Sequence, residues 1–392
     1  MLDLSNSPLK LGLTVDLNNY GINPERGEYV KWFSEETNGE GPKILHVYTI
    51  DSHVHKDKGI YIRDDKERFE ENIGNFADFI KTKFPQVDLI SFQFLYNQLS
   101  IELEAIFELD NIYGSSDKNV QRDFLLNQGK ILDIENAHEM LLSYLDILSE
   151  SDFSSLKYPP MVVLHAGGIM PNDLAKDYHN LNLFREIRRK LRINQIEYHN
   201  TLFNYIKEKN VLISLENIPA WDSIVSRDVQ GNKISIENQW LSEHAFEDLE
   251  DRLKIGGGHT IDLAHSAMNI GYFNQDSLKI ESLEMIKNEF EGIPDSLTSI
   301  EQYIKKASQL LDSKEYPKII YHLCDCNGLS SENEGVAIGS ENSFINWQDV
   351  INIIRTYTPS SYGALEIQGG HLKENYESKI IKSLQNFLDY CK

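Results

Sequence analysis

Four short hydrophobic runs in the second half of the chain each end in a potential metal ligand. Helix-length segments separate the runs. Side chains at the carboxyl ends of parallel strands meet at one end of an α/β barrel, where such folds build their sites. The pattern therefore predicts one shared site at the end of a parallel sheet. The runs and their last residues are 211–216 with Glu216, 259–262 with Asp262, 319–322 with His322 and 362–366 with Glu366.

Eight candidate strands alternate along the chain with segments of helical periodicity. The candidates are short and rich in β-branched and aromatic residues, as buried strands are. Alternation of this kind gives a parallel sheet with right-handed crossovers, and eight strands close it into a (β/α)8 TIM barrel. A doubly wound open sheet is the alternative. The candidate strands are Leu9–Val15, Ile44–Ile50, Leu89–Leu95, Met161–His165, Val211–Glu216, Thr260–Leu263, Ile319–Leu323 and Ala364–Ile367.

Two connections between these strands are longer than a helical crossover requires. A barrel takes about 250 residues, and the chain has 392. We expect one domain over 1–392, with insertions at about 97–160, between the third and fourth strands, and about 220–253, between the fifth and sixth. The second insertion carries Trp221 and Trp240 and directly follows the strand that ends in Glu216. Long loops of this type often act as lids or specificity elements.

Charge and cysteine content restrict the partners and the compartment. The formal net charge of −23 argues against nucleic acid, because such binding depends on Lys and Arg neutralising phosphates. The first residues lack the basic and apolar regions of a signal peptide. No stretch approaches the ~18 apolar residues of a membrane span. Three cysteines do not form a disulfide framework. We therefore expect a cytoplasmic protein that does not bind membranes.

The residue types at the four strand ends favour a particular metal chemistry. Three carboxylates and one imidazole form a mostly hard, oxygen-rich set of ligands. Such a set suits one Mn, Co, Mg or Zn ion acting as a Lewis acid. Neighbouring residues offer supporting groups. Asn217 can orient Glu216 or bind substrate, and His265 lies three residues after Asp262. Asp325 can act as a partner of a ligand, cap a helix or bind substrate. A helix-capping Asp262 and a buried structural His322 remain the non-functional alternatives.

The order Glu–Asp–His–Glu resembles the xylose isomerase-like TIM-barrel superfamily, over roughly residues 161–370. The motif His322-Leu-Cys-Asp325, with the glycines and the helix start that follow it, is most similar to the sugar-isomerase and inosose branch. The resemblance implies that Glu216, Asp262, His322 and Glu366 coordinate one divalent metal and that His265 contacts the substrate. Some ketose epimerases carry an Arg six residues after the ligating His. This chain has Gly328 there, which argues against a close ketose 3-epimerase.

The chain also resembles endonuclease IV, of AP endonuclease family 2, in part. Asp262-Leu-Ala-His265 and His165-Ala-Gly-Gly are similar to motifs of that family. However, the third candidate strand ends without the expected His, and the Asp-x-His pair expected after His322 has no counterpart. This resemblance therefore implies one complete metal site and, at most, an incomplete second site using His165 and Glu216.

We therefore expect a metal-dependent isomerase or epimerase that acts on a sugar or polyol-like substrate through an enediolate. Glu216 and Glu366 would exchange protons on opposite faces of the substrate. His265 and His165 would orient its hydroxyl groups, and Trp221 or Trp240 would stack on the ring or fix the loop. The alternatives are an endonuclease IV-like phosphodiesterase and a non-catalytic binding barrel. Homo-oligomerisation is open, since barrels of this family are often dimers or tetramers.

Overall fold

A computed structural model gives the fold of most of the chain. All structural statements below refer to the residues that it describes, of which some side chains near the gaps are not placed. Those residues are 2–18, 21–22, 24–49, 66–94, 134–166, 169–171, 196–217, 221–227, 233–242, 246–274, 299–311, 317–328, 335–367 and 376–392.

Eight parallel strands close into a barrel, and four further strands are antiparallel. In the barrel the hydrogen-bonded order is β12-β11-β10-β7-β5-β4-β3-β1, and β12 pairs again with β1. The strands are β1 Lys10–Asn18, β2 Gly21–Ile22, β3 Ile44–Thr49, β4 Leu89–Phe94, β5 Met161–Ala166, β6 Ile169–Pro171, β7 Leu212–Asn217, β8 Trp221–Arg227, β9 Lys233–Ser242, β10 Gly258–Asp262, β11 Ile319–Leu323 and β12 Tyr362–Leu365.

The parallel pairing of β1 with β12 confirms the TIM barrel and excludes the doubly wound open sheet. Lys10 lies opposite Tyr362, and the pairing continues to Leu13 opposite Leu365. All eight candidate strands are present, with small shifts of their ends. The last strand begins at Tyr362 rather than Ala364, because its pairing with β1 starts there. Glu366 therefore follows β12 directly, and its N–H donates to the Leu323 carbonyl at 3.1 Å.

Helices pack apolar faces against the outside of the barrel. The helix that precedes β11 shows why: Tyr303, Ile304 and Ala307 recur at helical spacing and are buried, as the sequence predicts. Ser299 caps its start by accepting a hydrogen bond from the Gln302 N–H at 3.2 Å. The described helices are Pro24–Glu36, Lys66–Lys83, Ile134–Glu150, 196–206, Phe246–Ile255, Leu263–Asn274, Ile300–Leu310, Trp347–Tyr357 and Tyr376–Tyr390. Among them, none has the length and apolarity that crossing a membrane requires.

The barrel interior is apolar at one end and polar at the other. Side chains two and four residues further along a strand point to the same face. His46 therefore follows Ile44 on the inner face of β3, and His322 follows Ile320 on that of β11. The polar residues collect toward the carboxyl ends of the strands, where barrels place their chemistry. The apolar interior cluster is Ile44, Leu89, Met161, Val163, Ile320, Tyr362 and Ala364.

The described parts of the two expected insertions contain regular structure. Strands β8 and β9 lie within 220–253 and form an antiparallel sheet with β6, which follows barrel strand β5. Trp221 opens β8, and Trp240 lies in β9 opposite Asp222. The positions of the two indole rings lie outside the described side chains. Of the segment 97–160, the structure describes the part from residue 134 onward, including the helix Ile134–Glu150.

Candidate metal centre

The structure brings the four potential ligands together at the carboxyl end of the barrel. Glu216 ends the inner face of β7, Asp262 ends β10, His322 lies on β11, and Glu366 follows β12. One ligand atom from each side chain lies within 4.8 Å of the others. The first three residues are almost fully buried, and the Glu366 side chain is 14% exposed. The four potential ligands predicted from distant segments of the sequence thus lie close together.

His322 lies between two of the carboxylates. Its Nδ1 atom is 2.8 Å from Oε1 of Glu216 and 2.6 Å from Oε2 of Glu366. One N–H cannot donate well to two acceptors at once. Ligand atoms that share one metal at about 2.0–2.2 Å lie roughly 3 Å apart. The spacing of these three atoms therefore matches a common cation better than a network of hydrogen bonds.

The pKa values of the two glutamates are shifted in opposite directions. Burial alone would raise the pKa of Glu216, but the charges and hydrogen bonds of His322 and His165 hold it well below the usual value. Burial raises the pKa of Glu366 to about 8. A cation beside Glu366 would therefore favour its ionised form at neutral pH. This difference follows from the structure and cannot be seen in the sequence, where both residues end similar strands.

An unsatisfied carboxylate oxygen of the centre fits a divalent metal. Within the described part of the chain, Oε2 of Glu366 and Nε2 of His322 are buried and make no hydrogen bond. A buried polar atom without a partner costs about 1–3 kcal/mol. A metal held by His322 and the three carboxylates would satisfy Oε2 of Glu366 and balance the carboxylate charge. Oxygen-rich ligands with one imidazole suit Mn, Co, Mg or Zn.

Two further side chains hold the glutamates in place. Gln93, on β4, donates from Nε2 to Oε2 of Glu216 at 2.9 Å. The hydroxyl of Tyr48, on β3, donates to Oε1 of Glu366. His165, on β5, places Nε2 3.4 Å from Oε2 of Glu216, so this predicted residue does reach the site. The sequence analysis missed Gln93 and Tyr48, although both lie an even number of residues after an apolar interior residue.

Asn217 links two strands of the site. Its side-chain amide donates to the Asp262 carbonyl at 3.0 Å and accepts from the Asp262 N–H at 2.8 Å. It also donates to Oγ of Ser266 at 3.2 Å. These contacts position Asp262, whereas the sequence suggested that Asn217 orients Glu216; binding of substrate by Asn217 stays a prediction. The contacts fix the end of β10 relative to β7, and hence the position of Asp262.

His265 lies beside Asp262 at the start of the next helix. Its N–H donates to Oδ1 of Asp262 at 2.7 Å, so Asp262 also caps the helix Leu263–Asn274. The ring donates from Nδ1 to the Asn217 carbonyl at 2.7 Å. Asp262 therefore combines the helix-capping contact, which the sequence left as an alternative, with a place in the ligand cluster.

Asp325 organises the loop after β11. Its carboxylate accepts from the N–H groups of Cys326 and Gly339, the Ser343 hydroxyl and the Trp347 indole, at 2.7–3.0 Å. Burial raises the pKa of Asp325, and these hydrogen bonds oppose that effect. All four donors belong to the loop or to the helix that follows it. Asp325 therefore holds the loop against the start of that helix, and its roles as the partner of a ligand or in substrate binding stay predictions.

His46 and Cys324 are also close to the ligands. The His46 ring lies 4.2 Å from the His322 ring, centroid to centroid, and a second ligand-like group consists of His46, His322 and Glu366. Burial and the nearby His322 hold the pKa of His46 well below its usual value, so the ring is neutral. Cys324 donates from Sγ to Oδ2 of Asp262 at 3.6 Å. Neither contact is apparent from the sequence, because each depends on a residue of a distant strand.

Among the described residues, His165 belongs to neither of the two ligand-like groups. The incomplete second site expected from the endonuclease IV resemblance would use His165 and Glu216. The structure places these two residues in contact but gathers no third ligand from the described residues around them.

No family model and no curated protein matches the chain. Several solved structures are similar to it. A D-tagatose 3-epimerase-like protein shows 14% identity and a TM-score of 0.45, covering 97% of this chain and 98% of that chain. The 3-keto-D-glucoside 4-epimerase YcjR from E. coli shows 11% identity and a TM-score of 0.47, covering 96% and 99%. D-psicose 3-epimerase in the presence of D-fructose shows 10% identity and a TM-score of 0.41, covering 97% and 96%.

Sugar epimerases are thus among the solved structures that this chain resembles. At these identities and TM-scores the likeness carries no weight on function. The fold rests on the strand pairing of the barrel itself, and any function rests on the geometry of the site.

Proposed function

We propose that this protein is a divalent-metal-dependent isomerase or epimerase of a sugar or polyol-like small molecule. The observation that carries the proposal is the convergence of Glu216, Asp262, His322 and Glu366 within 4.8 Å at the carboxyl end of the barrel. Three clustered carboxylates repel one another unless a cation lies between them. The cluster lies at the end of the barrel where enzymes of this architecture carry out chemistry.

The four clustered side chains would hold one Mn, Co, Mg or Zn ion. When bound, the metal would supply Lewis acidity that polarises a substrate carbonyl and a neighbouring hydroxyl oxygen. Gln93 and Tyr48 would keep the two glutamates in position through their hydrogen bonds. Asn217 would hold Asp262 in place through its contacts with the Asp262 backbone.

The two glutamates would carry out the proton transfer. One carboxylate would remove the proton from the carbon next to the carbonyl, which leaves an enediolate, and the other would return a proton to it. His165 and His265, which flank the cluster, would orient substrate hydroxyls. Trp221 lies at the start of β8, in the second insertion. We propose that its ring stacks on the sugar or fixes this loop.

The variant Glu216→Gln tests this function. It keeps the volume of the side chain but removes the negative charge and the proton acceptor. We expect turnover to fall at least ~10³-fold, with the fold retained in circular dichroism. The assay is exchange of a substrate C–H for solvent deuterium across a panel of ketoses and polyol-like sugars, followed by NMR. The control is Glu35→Gln, an exposed glutamate on the helix Pro24–Glu36. Near-normal exchange by metal-loaded Glu216→Gln would contradict the role of Glu216.

Elemental analysis of the purified protein separates the competing functions. About one divalent ion per chain, lost in Glu366→Ala, supports the isomerase. Two or three zinc ions per chain would favour an endonuclease IV-like phosphodiesterase, for which the contact between His165 and Glu216 is the supporting observation. The net charge of −23 counts against that function. The absence of any bound metal would favour a non-catalytic binding barrel.

The remaining expectations stand as parts of the same proposal. We propose that residues 1–392 form one domain, that the partner is a small sugar-like molecule rather than nucleic acid, and that the protein acts in the cytoplasm. Size-exclusion chromatography with light scattering would determine whether it forms a homo-oligomer.

A further inference from the structure

His46 is a buried polar residue that the proposed mechanism does not use. It lies on the inner face of β3, two residues before Tyr48, and is fully buried. Its Nδ1 atom is 2.9 Å from Oγ of Ser91, on β4. Its Nε2 atom makes no hydrogen bond within the described part of the chain. A buried nitrogen beside a proposed metal ligand therefore has no partner among the described residues.

The ring of His322 needs a hydrogen-bond acceptor for its second nitrogen. Its Nδ1 atom faces Glu216 and Glu366, so Nδ1 is the nitrogen that would hold a metal. A neutral imidazole that ligates through Nδ1 carries its proton on Nε2. That Nε2 atom is buried and has no acceptor among the described residues. Metal-binding histidines almost always donate this second N–H to an acceptor, which fixes the tautomer and the orientation of the ring.

We propose that His46 is the acceptor that fixes the tautomer and orientation of His322, and is therefore a positioning residue of the metal centre. In this arrangement Nδ1–H of His46 donates to Oγ of Ser91, and Nε2 of His46 accepts the proton of His322 through one buried water. The proposal rests on the proposed function, because it requires His322 to ligate a metal.

The distances suit this arrangement. The two rings are tilted by 57° with centroids 4.2 Å apart. A water bridging two polar atoms spans up to about 5.6 Å, or two hydrogen bonds. The interior here is polar, with Ser91 on the neighbouring strand, so a water finds the partners that it needs.

Metal affinity of the stripped protein tests the proposal without an activity assay. Calorimetric titration with Mn²⁺ would compare the unsubstituted chain with His46→Leu, which removes the acceptor at similar volume, and His46→Gln, which restores one. Ser214→Ala is the matched control. Ser214 lies on β7, two residues before the ligand Glu216, and its hydroxyl forms a hydrogen bond with Thr260 on β10 at 2.7 Å. The visible spectrum of the Co²⁺-loaded protein would report any change in ligand geometry.

We expect His46→Leu to weaken Mn²⁺ binding about 10–100-fold and to shift the Co²⁺ spectrum. We expect His46→Gln to recover part of the affinity and Ser214→Ala to bind as the unsubstituted chain does. Equal affinity of His46→Leu and the unsubstituted chain would overturn the positioning role alone. Two ions per chain, one of them lost in His46→Leu, would make His46 a ligand and would also overturn it.

Two other outcomes are decisive as well. An unsubstituted chain that binds no divalent metal would overturn the proposed function, and this inference with it. If His46→Leu does not fold, Ser91→Ala takes its place. This variant keeps the His46 ring but removes the hydroxyl that fixes the tautomer of His46. We expect Ser91→Ala to bind Mn²⁺ several-fold more weakly, and unchanged affinity would then overturn the proposal.

Discussion

At the scale of single residues, the site depends on the different surroundings of chemically identical side chains. Glu216 receives hydrogen bonds or close contacts from Gln93, His165 and His322, and its pKa stays low. Glu366 accepts a hydrogen bond from the Tyr48 hydroxyl, and burial raises its pKa to about 8. Ionising Glu366 without a cation therefore costs free energy. A proton and a metal ion compete for this carboxylate, because only the ionised form binds the metal.

This competition predicts that metal binding strengthens as the pH rises from 6 to 8. Below about pH 8 Glu366 carries a proton that must leave before it can ligate. The affinity for Mn²⁺ should therefore fall by about tenfold per pH unit below that value. Glu216, with its lowered pKa, is ionised throughout this range and adds no such dependence. Calorimetry at pH 6, 7 and 8 would measure the effect.

The stability of the metal-free protein should show the opposite trend. A carboxyl group with a raised pKa binds more protons in the folded state than in the unfolded state. It therefore stabilises the fold at low pH and loses that contribution as the pH rises through the window from about 4.5 to 8. Glu366→Gln should remove the part of the pH dependence of Tm that arises in this window. An unchanged profile in Glu366→Gln would rule out this carboxyl group as its source.

At the scale of helices and loops, short capping contacts fix the elements that carry the ligands. Asp325 joins the loop after β11 to the start of the helix Trp347–Tyr357 through the Trp347 indole. Asp262 accepts the His265 N–H at the start of the helix that follows β10. Ser299 caps the helix that leads into β11, the strand of His322.

The Ser299 cap gives a prediction for this scale. Ser299→Ala removes the acceptor for the Gln302 N–H and should lower the free energy of unfolding by about 0.5–2 kcal/mol. The control is Ser308→Ala in the same helix, where the hydroxyl donates to the Lys305 carbonyl and alanine is the better helix former. Urea unfolding should show a loss in the first variant and none in the second. Equal stability of the two variants would contradict the capping role.

At the scale of the whole molecule, the site exists only because the barrel closes. Glu366 follows the last strand, whereas Gln93 and Tyr48 come from the first half of the chain. The pairing of β1 with β12 brings them to the same end of the barrel. Closure requires β1 and β3 to approach closely at Gly12, where an added Cβ would overlap the Ile44 carbonyl oxygen.

Substitution of Gly12 therefore tests barrel closure. Gly12→Ala should push β1 from β3 and lower the Tm strongly, or prevent folding, because the overlapping atom is backbone and cannot rotate away. Gly74→Ala is the matched control: nothing lies within 4 Å of its added Cβ, and it is in a helix. It should stabilise the protein by about 0.5–1 kcal/mol. A Tm of Gly12→Ala close to that of the unsubstituted chain would show that the strands tolerate separation there.

Much of the fold was predictable from the sequence, because each barrel strand is a local pattern. A short β-branched run bounded by helical segments identifies a strand, and Ile319–Leu323 was predicted with its observed bounds. The four potential ligands were predictable for the same reason, since each is the last polar residue of such a run. Their convergence then followed from the parallel arrangement of strand ends.

Only the tertiary structure decided the surroundings of those residues. Gln93, Tyr48 and His46 lie more than a hundred residues from the proposed ligands that they contact, and nothing local marks them as part of a site. The difference in pKa between Glu216 and Glu366 arises from burial and from charges brought near by folding. Sequence by itself thus determined the barrel and the candidate ligands, because strand patterns and strand ends are local. The folded structure decided their partners and acidities, because these depend on distances across the barrel.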